Sequence, residues 1–248
     1  MSEPYPIPGQ PEIEPAASRR VAWRVRDLFL ALAGAFVLSV ALLVPIAVLA
    51  FEDAEAVPGF VAIGGMGILI YVALAIAAWY FALKRRGVGW REGGFRPVAG
   101  STLLKMVPVT IGMMVLNAIV VALSAQAFGN VPTAQDQMVG DADVITLSEF
   151  IWLFALGAVV APIVEEFLFR GLLYPLLRGR LRVVVAVATS AFLFAFLHFY
   201  PTLIPALLTM GVVLAVLTER YDSILPSIVV HALNNGAALL GLYAAIGR

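Results

Sequence analysis

The sequence predicts an all-α protein, a polytopic membrane helix bundle with seven or eight transmembrane helices. Hydrophobic residues make up 62% of the chain and charged residues only 13%, whereas about a quarter of the residues in a soluble domain are charged. The apolar residues are gathered in runs long enough to cross a hydrocarbon core of about 30 Å. Lipid is therefore the expected environment of most of the side chains.

Net charge and cysteine content exclude several classes of protein. The formal net charge is zero, so there is no electrostatic basis for binding nucleic acid. The chain has no cysteine, which excludes disulfides, thiolate metal ligands and a cysteine nucleophile. Oligomeric state has no sequence signal here.

The first 22 residues differ from the rest because they are polar and rich in proline. They predict a disordered cytoplasmic tail, and residues 23–248 predict a single transmembrane domain. The expected spans lie at 27–51, 59–83, 102–128 and 148–177, with shorter ones at 183–199, 203–218 and 223–246. An eighth helix would result if Pro162 broke the fourth run in two.

Turn signals support these boundaries. Thr146 and Glu149 have the spacing of a capping box and predict the start of the fourth span. Asp222 or Ser223 can cap the last span, with Pro226 tolerated in its first turn. The fourth and last runs therefore begin as membrane helices should.

The distribution of basic residues between the loops predicts the orientation. Cationic side chains precede span one, separate spans two and three, and follow span four; they include Arg19, Arg20, Arg24, Arg26, Lys84, Arg85, Arg86, Arg91, Arg96, Lys105, Arg178, Arg180 and Arg182. The alternate loops, 52–55 and 129–145, contain acidic residues but neither lysine nor arginine. The positive-inside rule then places the N-terminus in the cytoplasm. The short, alanine- and valine-rich chain favours a prokaryotic plasma membrane.

Several polar residues lie inside the apolar runs, where ionisable groups are costly and usually functional. They are Glu165, Glu166, Arg170, His198, His231 and Asn235, and the two histidines are the only ones in the chain. At 1.5 Å per residue, Glu165 and Asn235 each lie about 19 Å from the charged end of their helix. The corresponding depths are about 24 Å for His198 and about 13 Å for His231. One shared polar layer is therefore expected.

Helical spacing separates the expected roles of the two glutamates. Glu166 and Arg170 are four residues apart with the acid first, which favours an ion pair that neutralises and orients Glu166. Glu165 points about 100° away around the helix and has Phe169, not a cation, one turn below. Glu165 is therefore the candidate general base.

The two histidines lie in different helical patterns. Phe194 and His198 share a helix face, so the phenyl ring can pack against the imidazole and restrict water. His231 and Asn235 also share a face and present two hydrogen-bond donors one turn apart. Donors combined with a base are typical of hydrolysis.

Two chemistries fit these residues. In one, Glu165 with help from His198 activates a water that attacks a peptide carbonyl, while His231 and Asn235 donate to the oxyanion. In the other, Glu165, His198 and His231 form a His₂Glu set that binds Zn²⁺ or another divalent metal. The residues alone leave both alternatives open, so the chain is expected to be a protease with no cofactor or a metalloprotease.

The ordered motifs Glu165-Glu166-x-x-x-Arg170, Phe194-x-x-x-His198 and His231-x-x-x-Asn235 resemble those of the CAAX protease and bacteriocin-processing (abortive infection) family of intramembrane proteases. The resemblance implies a bundle of seven or eight membrane helices, a polar intramembrane cavity open to the cytoplasm, and endopeptidase activity with motifs in residues 160–236. In that family the first glutamate is the base, which agrees with the spacing of Glu165. Because family members differ in substrate, the resemblance does not identify one.

The expected partners are membrane lipid and a membrane-associated or lipidated peptide or protein substrate, with no nucleic acid. A non-catalytic scaffold or bacteriocin-immunity protein of the same fold is the alternative function. Transport is a third class, since intramembrane Glu and His can relay protons. Against transport, the polar residues lie in one half of the chain, and the other half has no matching pair of interrupted helices.

Overall fold

The structure, a computed structural model, describes residues 21–52, 59–128, 145–198 and 203–247. Most of the predicted N-terminal tail and most of the two predicted acidic external loops lie outside these residues. The described part is helical, and its elements in chain order are α1 Val25–Glu52, α2 Gly59–Ala78, α3 Gly100–Leu104, α4 Met106–Phe128, α5 Leu147–Arg178, α6 Val183–Phe196, α7 Ile204–Tyr221 and α8 Leu225–Ile246.

Length and composition identify the membrane helices. Within the described ranges, six helices are long and apolar enough to cross a membrane, and α6, with 14 residues, is a shorter apolar helix. Large apolar side chains on their outer faces are exposed, among them Phe36 and Val184, as expected for surfaces that contact lipid. The predicted polytopic helix bundle is confirmed, whereas the count of seven or eight spans stays a prediction.

Pro162 does not divide the fourth run. The segment α5 is helical throughout, with π-helical stretches at Ala155–Val160 and Phe167–Leu173. Pro162 lies in the first turn of the α-helical piece Ala161–Glu166 between them. The widened π turn accommodates the missing N–H of proline without ending the helix. The break that would have produced an eighth helix is therefore absent at this position, and α5 is one continuous helix.

The cap predicted for α5 forms, whereas the one predicted at Asp222 or Ser223 is wrong, because the N-cap of α8 is Ile224, which makes no side-chain cap bond. The Thr146 side chain accepts from the Glu149 amide while the Glu149 carboxylate accepts from the Thr146 amide, which is a complete capping box. Ser223 Oγ accepts from the Leu225 amide at 3.2 Å, and Pro226 lies in the first turn of α8. Both helices nevertheless begin close to the predicted positions.

The arginine-rich ends of the helices meet at one end of the bundle. Arg86 binds Asp27 across α1 and the turn after α2, Arg178 binds Glu219 across α5 and α7, and Arg96 binds Asp222. At the opposite end, the Ile145 amide donates to the Ile246 carbonyl at 3.1 Å. The three ion pairs therefore hold together the end that is predicted to face the cytoplasm.

Two glycines allow close helix packing beside the polar residues. A Cβ on Gly211 of α7 would lie 2.8 Å from Ala191 Cα of α6, and one on Gly171 of α5 would lie 2.3 Å from the Gly93 carbonyl oxygen. Only a residue without a side chain fits at either contact. The first contact brings α6 and α7 together, and the second brings the loop before α3 against α5.

Candidate active site

Three separate parts of the chain contribute to one polar cluster inside the bundle. The middle of α5 carries Glu165, Glu166 and Arg170, the turn after α6 carries His198, and α8 carries His231. His198 Nε2 and His231 Nε2 each lie 3.7 Å from Glu165 Oε2. The shared polar layer that the helical depths predict is therefore present in the structure.

Glu166 is fully buried and doubly paired. Its Oε1 accepts from Arg170 Nη1 at 3.1 Å and from His231 Nδ1 at 3.0 Å. The Arg170 guanidinium also donates to the Gly211 carbonyl at 3.1 Å and lies 4.5 Å above the Phe194 ring. The predicted ion pair forms; its carboxylate connects α5 with α8, and its guanidinium connects α5 with α7.

Glu165 has a different environment from its neighbour. Tyr71 of α2 donates its hydroxyl hydrogen to Glu165 Oε1 at an Oη–Oε1 distance of 2.5 Å. The other oxygen, Oε2, is buried and, like Glu166 Oε2, has no hydrogen-bond partner among the described residues. The Glu165 side chain keeps 12% of its surface exposed, whereas that of Glu166 keeps none. Glu165 is thus the carboxylate available to a bound molecule.

Hydrogen bonding defines which nitrogen of each imidazole carries a proton. His198 Nδ1 lies 2.6 Å from the Phe194 carbonyl oxygen, which can only accept, so Nδ1 is protonated. His231 Nδ1 faces a carboxylate that already accepts from Arg170, so it is protonated as well. In the neutral rings both Nε2 atoms are therefore acceptors. Glu165 Oε2 and the two Nε2 atoms form a group of three acceptors without a donor between them.

The Phe194 ring supports this arrangement, as its spacing from His198 predicts. Its centroid lies 4.6 Å from that of His198 and 5.8 Å from that of His231. Phe194 is fully buried, and the same residue supplies the carbonyl that orients His198. One residue thus fixes both the position and the tautomer of His198.

Asn235 lies one turn from His231 on α8 but binds the backbone of α5. Its Nδ2 donates to the Gly157 carbonyl at 3.0 Å, and its Oδ1 accepts from Asn234 Nδ2 at 3.3 Å. In the π-helical register a carbonyl pairs with the N–H five residues later, and for Gly157 that residue is Pro162, which has no N–H. Asn235 supplies the missing donor and keeps one N–H for another acceptor.

Tyr71 is the site residue that sequence reasoning missed. A single tyrosine in the apolar run of α2 carries little signal, because tyrosine is common in membrane helices near the interface. Its partner Glu165 lies 94 residues later in the chain. Only the packing of α2 against α5 brings the two groups together.

A cavity of about 500 Å³, lined by both charged and apolar side chains, lies at the arginine-rich end of the bundle. Its walls come from the segment before α1, the loop before α3, the end of α5 and the turn between α7 and α8, and they include Trp23, Arg96, Tyr174, Arg178 and Glu219. Arg170 lines it, but Glu165 does not. The cavity therefore extends from the predicted cytoplasmic side to Arg170 of the Glu166–Arg170 pair. It does not reach Glu165 or the two histidines.

The metal candidates Glu165, His198 and His231 come together inside the bundle. Both Nε2 atoms lie 3.7 Å from Glu165 Oε2, which leaves space between the three side chains. Across the residues that the structure describes, no group of three or more His, Asp or Glu side chains already forms a metal-binding cluster. These three side chains are the ones that would hold a divalent metal.

Comparison with known proteins identifies one family. Residues 147–237 match the model of the Rce1-like family, described as type II CAAX prenyl endopeptidase Rce1-like. The matched range contains the two glutamates, Arg170, both histidines and Asn235, and it excludes Tyr71. No curated protein and no solved structure gives a significant match. Over residues 147–237 the chain is similar to this family, in agreement with the CAAX protease and bacteriocin-processing family that its motifs resemble.

Proposed function

We propose that the protein is an intramembrane endopeptidase that hydrolyses a peptide bond in a membrane-associated or lipidated peptide or protein. One observation carries this proposal: the Nε2 atoms of His198 and His231 each lie 3.7 Å from Glu165 Oε2, too far for direct hydrogen bonds. A water molecule between them would donate its hydrogens to Glu165 Oε2 and to an imidazole Nε2. A water held by a carboxylate and an imidazole inside an apolar bundle is the expected nucleophile of a hydrolase.

The proposed reaction begins with proton transfer from this water. Glu165, assisted by His198, accepts the proton as the water oxygen bonds to the peptide carbonyl carbon, and the carbonyl electron pair moves to oxygen. The tetrahedral intermediate then releases the amine as the C–N bond breaks, and the proton on Glu165 passes to the leaving nitrogen. The same carboxylate thus serves first as base and then as acid.

His231 and Asn235 are the proposed donors to the oxyanion. Because His231 Nδ1 already donates to Glu166, its Nε2 donates only in the imidazolium form. The paired carboxylate of Glu166 is placed to stabilise that charge. Asn235 would donate its second amide hydrogen, the first being used by Gly157. Both donors are preorganised by contacts made before substrate binds.

Apolar surfaces on both sides of the cluster support a substrate that lies in the membrane. A groove of about 240 Å³ is lined by α1 and by Phe169 and Leu197, the latter next to His198. A second groove, of about 360 Å³, is lined by Ala75 of α2, by Val164 and Phe167, which flank the glutamate pair, and by Trp90. A soluble peptide would gain little from either groove, whereas an apolar segment would be stabilised by both.

The proposal also includes location and orientation. The helices support a multi-pass membrane protein, and we propose the plasma membrane of a prokaryote with the N-terminus in the cytoplasm. A catalytic role for a divalent metal at Glu165, His198 and His231 remains the alternative to metal-free water activation. Metal analysis of the purified active protein is the measurement that separates the two.

The experiment that tests the function compares new protein termini in membranes of cells that make the wild-type chain or Glu165→Gln at equal expression. Loss of a general base lowers the rate by about 10²–10⁴-fold, so the Glu165→Gln membranes should lack termini that the wild type produces. Glu149→Gln is the matched control on the same helix, because glutamine keeps the capping box. Membranes that contain Glu149→Gln should show the same new protein termini as wild-type membranes.

Two results would decide against the proposed function. If wild type and Glu165→Gln yield the same termini, and both rescue a deletion phenotype equally, the protein acts as a scaffold or immunity protein. If Glu165→Gln and Glu149→Gln both lose the termini to the same extent, the loss is due to misfolding of α5 and not to removal of the base.

A further inference from the structure

Tyr71 makes the shortest hydrogen bond to the candidate base, although it belongs to a different part of the chain. It lies on α2, outside the residues that match the Rce1-like family, and its hydroxyl is 2.5 Å from Glu165 Oε1. No role for this residue follows from the motifs. The contact between the hydroxyl and the candidate base indicates a role for Tyr71 at Glu165.

The tyrosine hydroxyl has one strong effect on a carboxylate at this depth. A hydrogen bond to an ionised oxygen is roughly twice as strong as one between neutral groups, and a low dielectric strengthens it further. This bond therefore holds the Tyr71 and Glu165 side chains together in the apolar interior. Among the described residues, no arginine is in hydrogen-bond contact with Glu165, whereas Arg170 binds Glu166.

The same bond fixes the direction of the carboxylate. With Oε1 held by Tyr71, the second oxygen Oε2 points to the space between the imidazoles, 3.7 Å from each Nε2. Without the bond, rotation about the last side-chain torsion, which is broad for glutamate, would move Oε2 away. The hydroxyl thus defines which oxygen faces the proposed water.

Packing alone does not account for a tyrosine at this position. The groove one turn further along α2 is lined by Ala75 and, across from it, by Ile163 and Val164. A phenyl ring would fill the same space against these apolar residues without requiring a polar partner. The hydroxyl is the part of the side chain that needs another explanation.

We propose that Tyr71 is a positioning residue of the endopeptidase site: it holds Oε1 of Glu165 and so directs Oε2 at the nucleophilic water. This inference rests on the proposed function and extends the site beyond the family-matched residues to α2. The hydroxyl donates to Glu165 and makes no bond to substrate. Its removal should therefore slow the chemical step and leave substrate binding unchanged.

The first test measures kcat and KM of Tyr71→Phe on a substrate found through the termini that the wild type produces. A misoriented base lowers kcat by about ten- to a hundredfold, while KM stays within about twofold. Tyr80→Phe is the matched control, because Tyr80 is exposed and lies nine residues later on the same helical segment. That variant should behave as the wild type. An unchanged kcat for Tyr71→Phe would overturn the positioning role, as would a raised KM with unchanged kcat.

The second test is independent of catalysis. A double-mutant cycle in detergent compares the melting temperatures of wild type, Tyr71→Phe, Glu165→Ala and the double variant. Glu165→Ala removes the acceptor, so Tyr71→Phe should lower the melting temperature in the wild-type background and have little effect in the Glu165→Ala background. Strictly additive shifts would overturn the contact. If the wild type produced no Glu165-dependent termini, the proposed function would fail, while this cycle would still decide whether Tyr71 holds Glu165.

Discussion

Ion pairs at the arginine-rich end of the bundle and in its centre use the same kinds of side chain in different surroundings. The pair Arg96–Asp222 keeps 28% and 33% of its side-chain surfaces exposed, whereas Arg170 and Glu166 keep none. At the end of the bundle each bridging arginine meets one acid. In the centre two adjacent glutamates meet one arginine and two histidines.

The two glutamates in the centre of the bundle differ in role: Glu166 holds helices together, whereas Glu165 is the candidate base. Glu166 and Arg170 bind each other, and they also bind His231 and the Gly211 carbonyl, so they connect α5, α7 and α8. Glu165 receives a neutral hydroxyl in place of a cation, and its second oxygen lies 3.7 Å from both imidazole Nε2 atoms. A carboxylate without a cation in hydrogen-bond contact is costly in an apolar interior, and that cost is consistent with a group kept for catalysis.

The largest expected effect on folding comes from Arg170→Ala. Removing one partner of a buried pair leaves an uncompensated charge and destabilises by about 3–5 kcal/mol. Thermal unfolding in detergent should therefore give a much lower melting temperature and a lower folded yield. Arg170→Ala combined with Glu166→Gln is the matched control and should recover part of the loss. Wild-type stability of Arg170→Ala alone would contradict a structural role for the central pair.

A smaller loss is expected for Gly211→Ala. The added Cβ would lie 2.8 Å from Ala191 Cα, so α7 must move away from α6 and take the carbonyl that Arg170 binds with it. Overpacking of this kind costs about 1–3 kcal/mol, which thermal unfolding can measure. Gly112→Ala on α4 is the control, because a Cβ there meets no atom within 4 Å. Equal stability of the two variants would show that the α6–α7 contact is not tight.

The smallest effect is expected for Arg96→Ala at the end of the bundle. Both partners of the Arg96–Asp222 pair are partly exposed, and such pairs contribute about 0.2–1 kcal/mol. The loss should shrink as ionic strength rises, because salt screens exposed charges. Unfolding measured at low and high salt checks this. If Arg96→Ala lost as much stability as Arg170→Ala, the ion pairs at the end and in the centre of the bundle would not differ in their contribution.

The helix boundaries were predictable because each depends on local sequence. Apolar runs, the capping box at Thr146 and the turn at Ser223 are all encoded within a few residues. The Glu166–Arg170 pair was predictable for the same reason, since helical periodicity alone brings these two residues together. The effect of Pro162 was not predictable, because the π turns that accommodate it depend on the packing of α5.

The contacts between helices explain what sequence reasoning could not reach. Tyr71 and Glu165 are far apart in the chain, and no helical spacing relates them. Asn235 shows the same limit: its pairing with the Gly157 carbonyl depends on the π register of α5 and on the approach of α8. The assignment of Nδ1 as the protonated nitrogen of each histidine likewise needs a partner from another helix or from the preceding turn.

By itself the sequence determined the membrane environment, the helices, the identity of the polar residues and their approximate depth, because composition, periodicity and helical rise are local properties. Only the tertiary structure decided which oxygen of Glu165 is held by Tyr71 and which faces the imidazoles. The physical reason is that a hydrogen bond between helices depends on relative positions accurate to a few tenths of an ångström. Such positions arise from the packing of all the helices together, and no single segment encodes them.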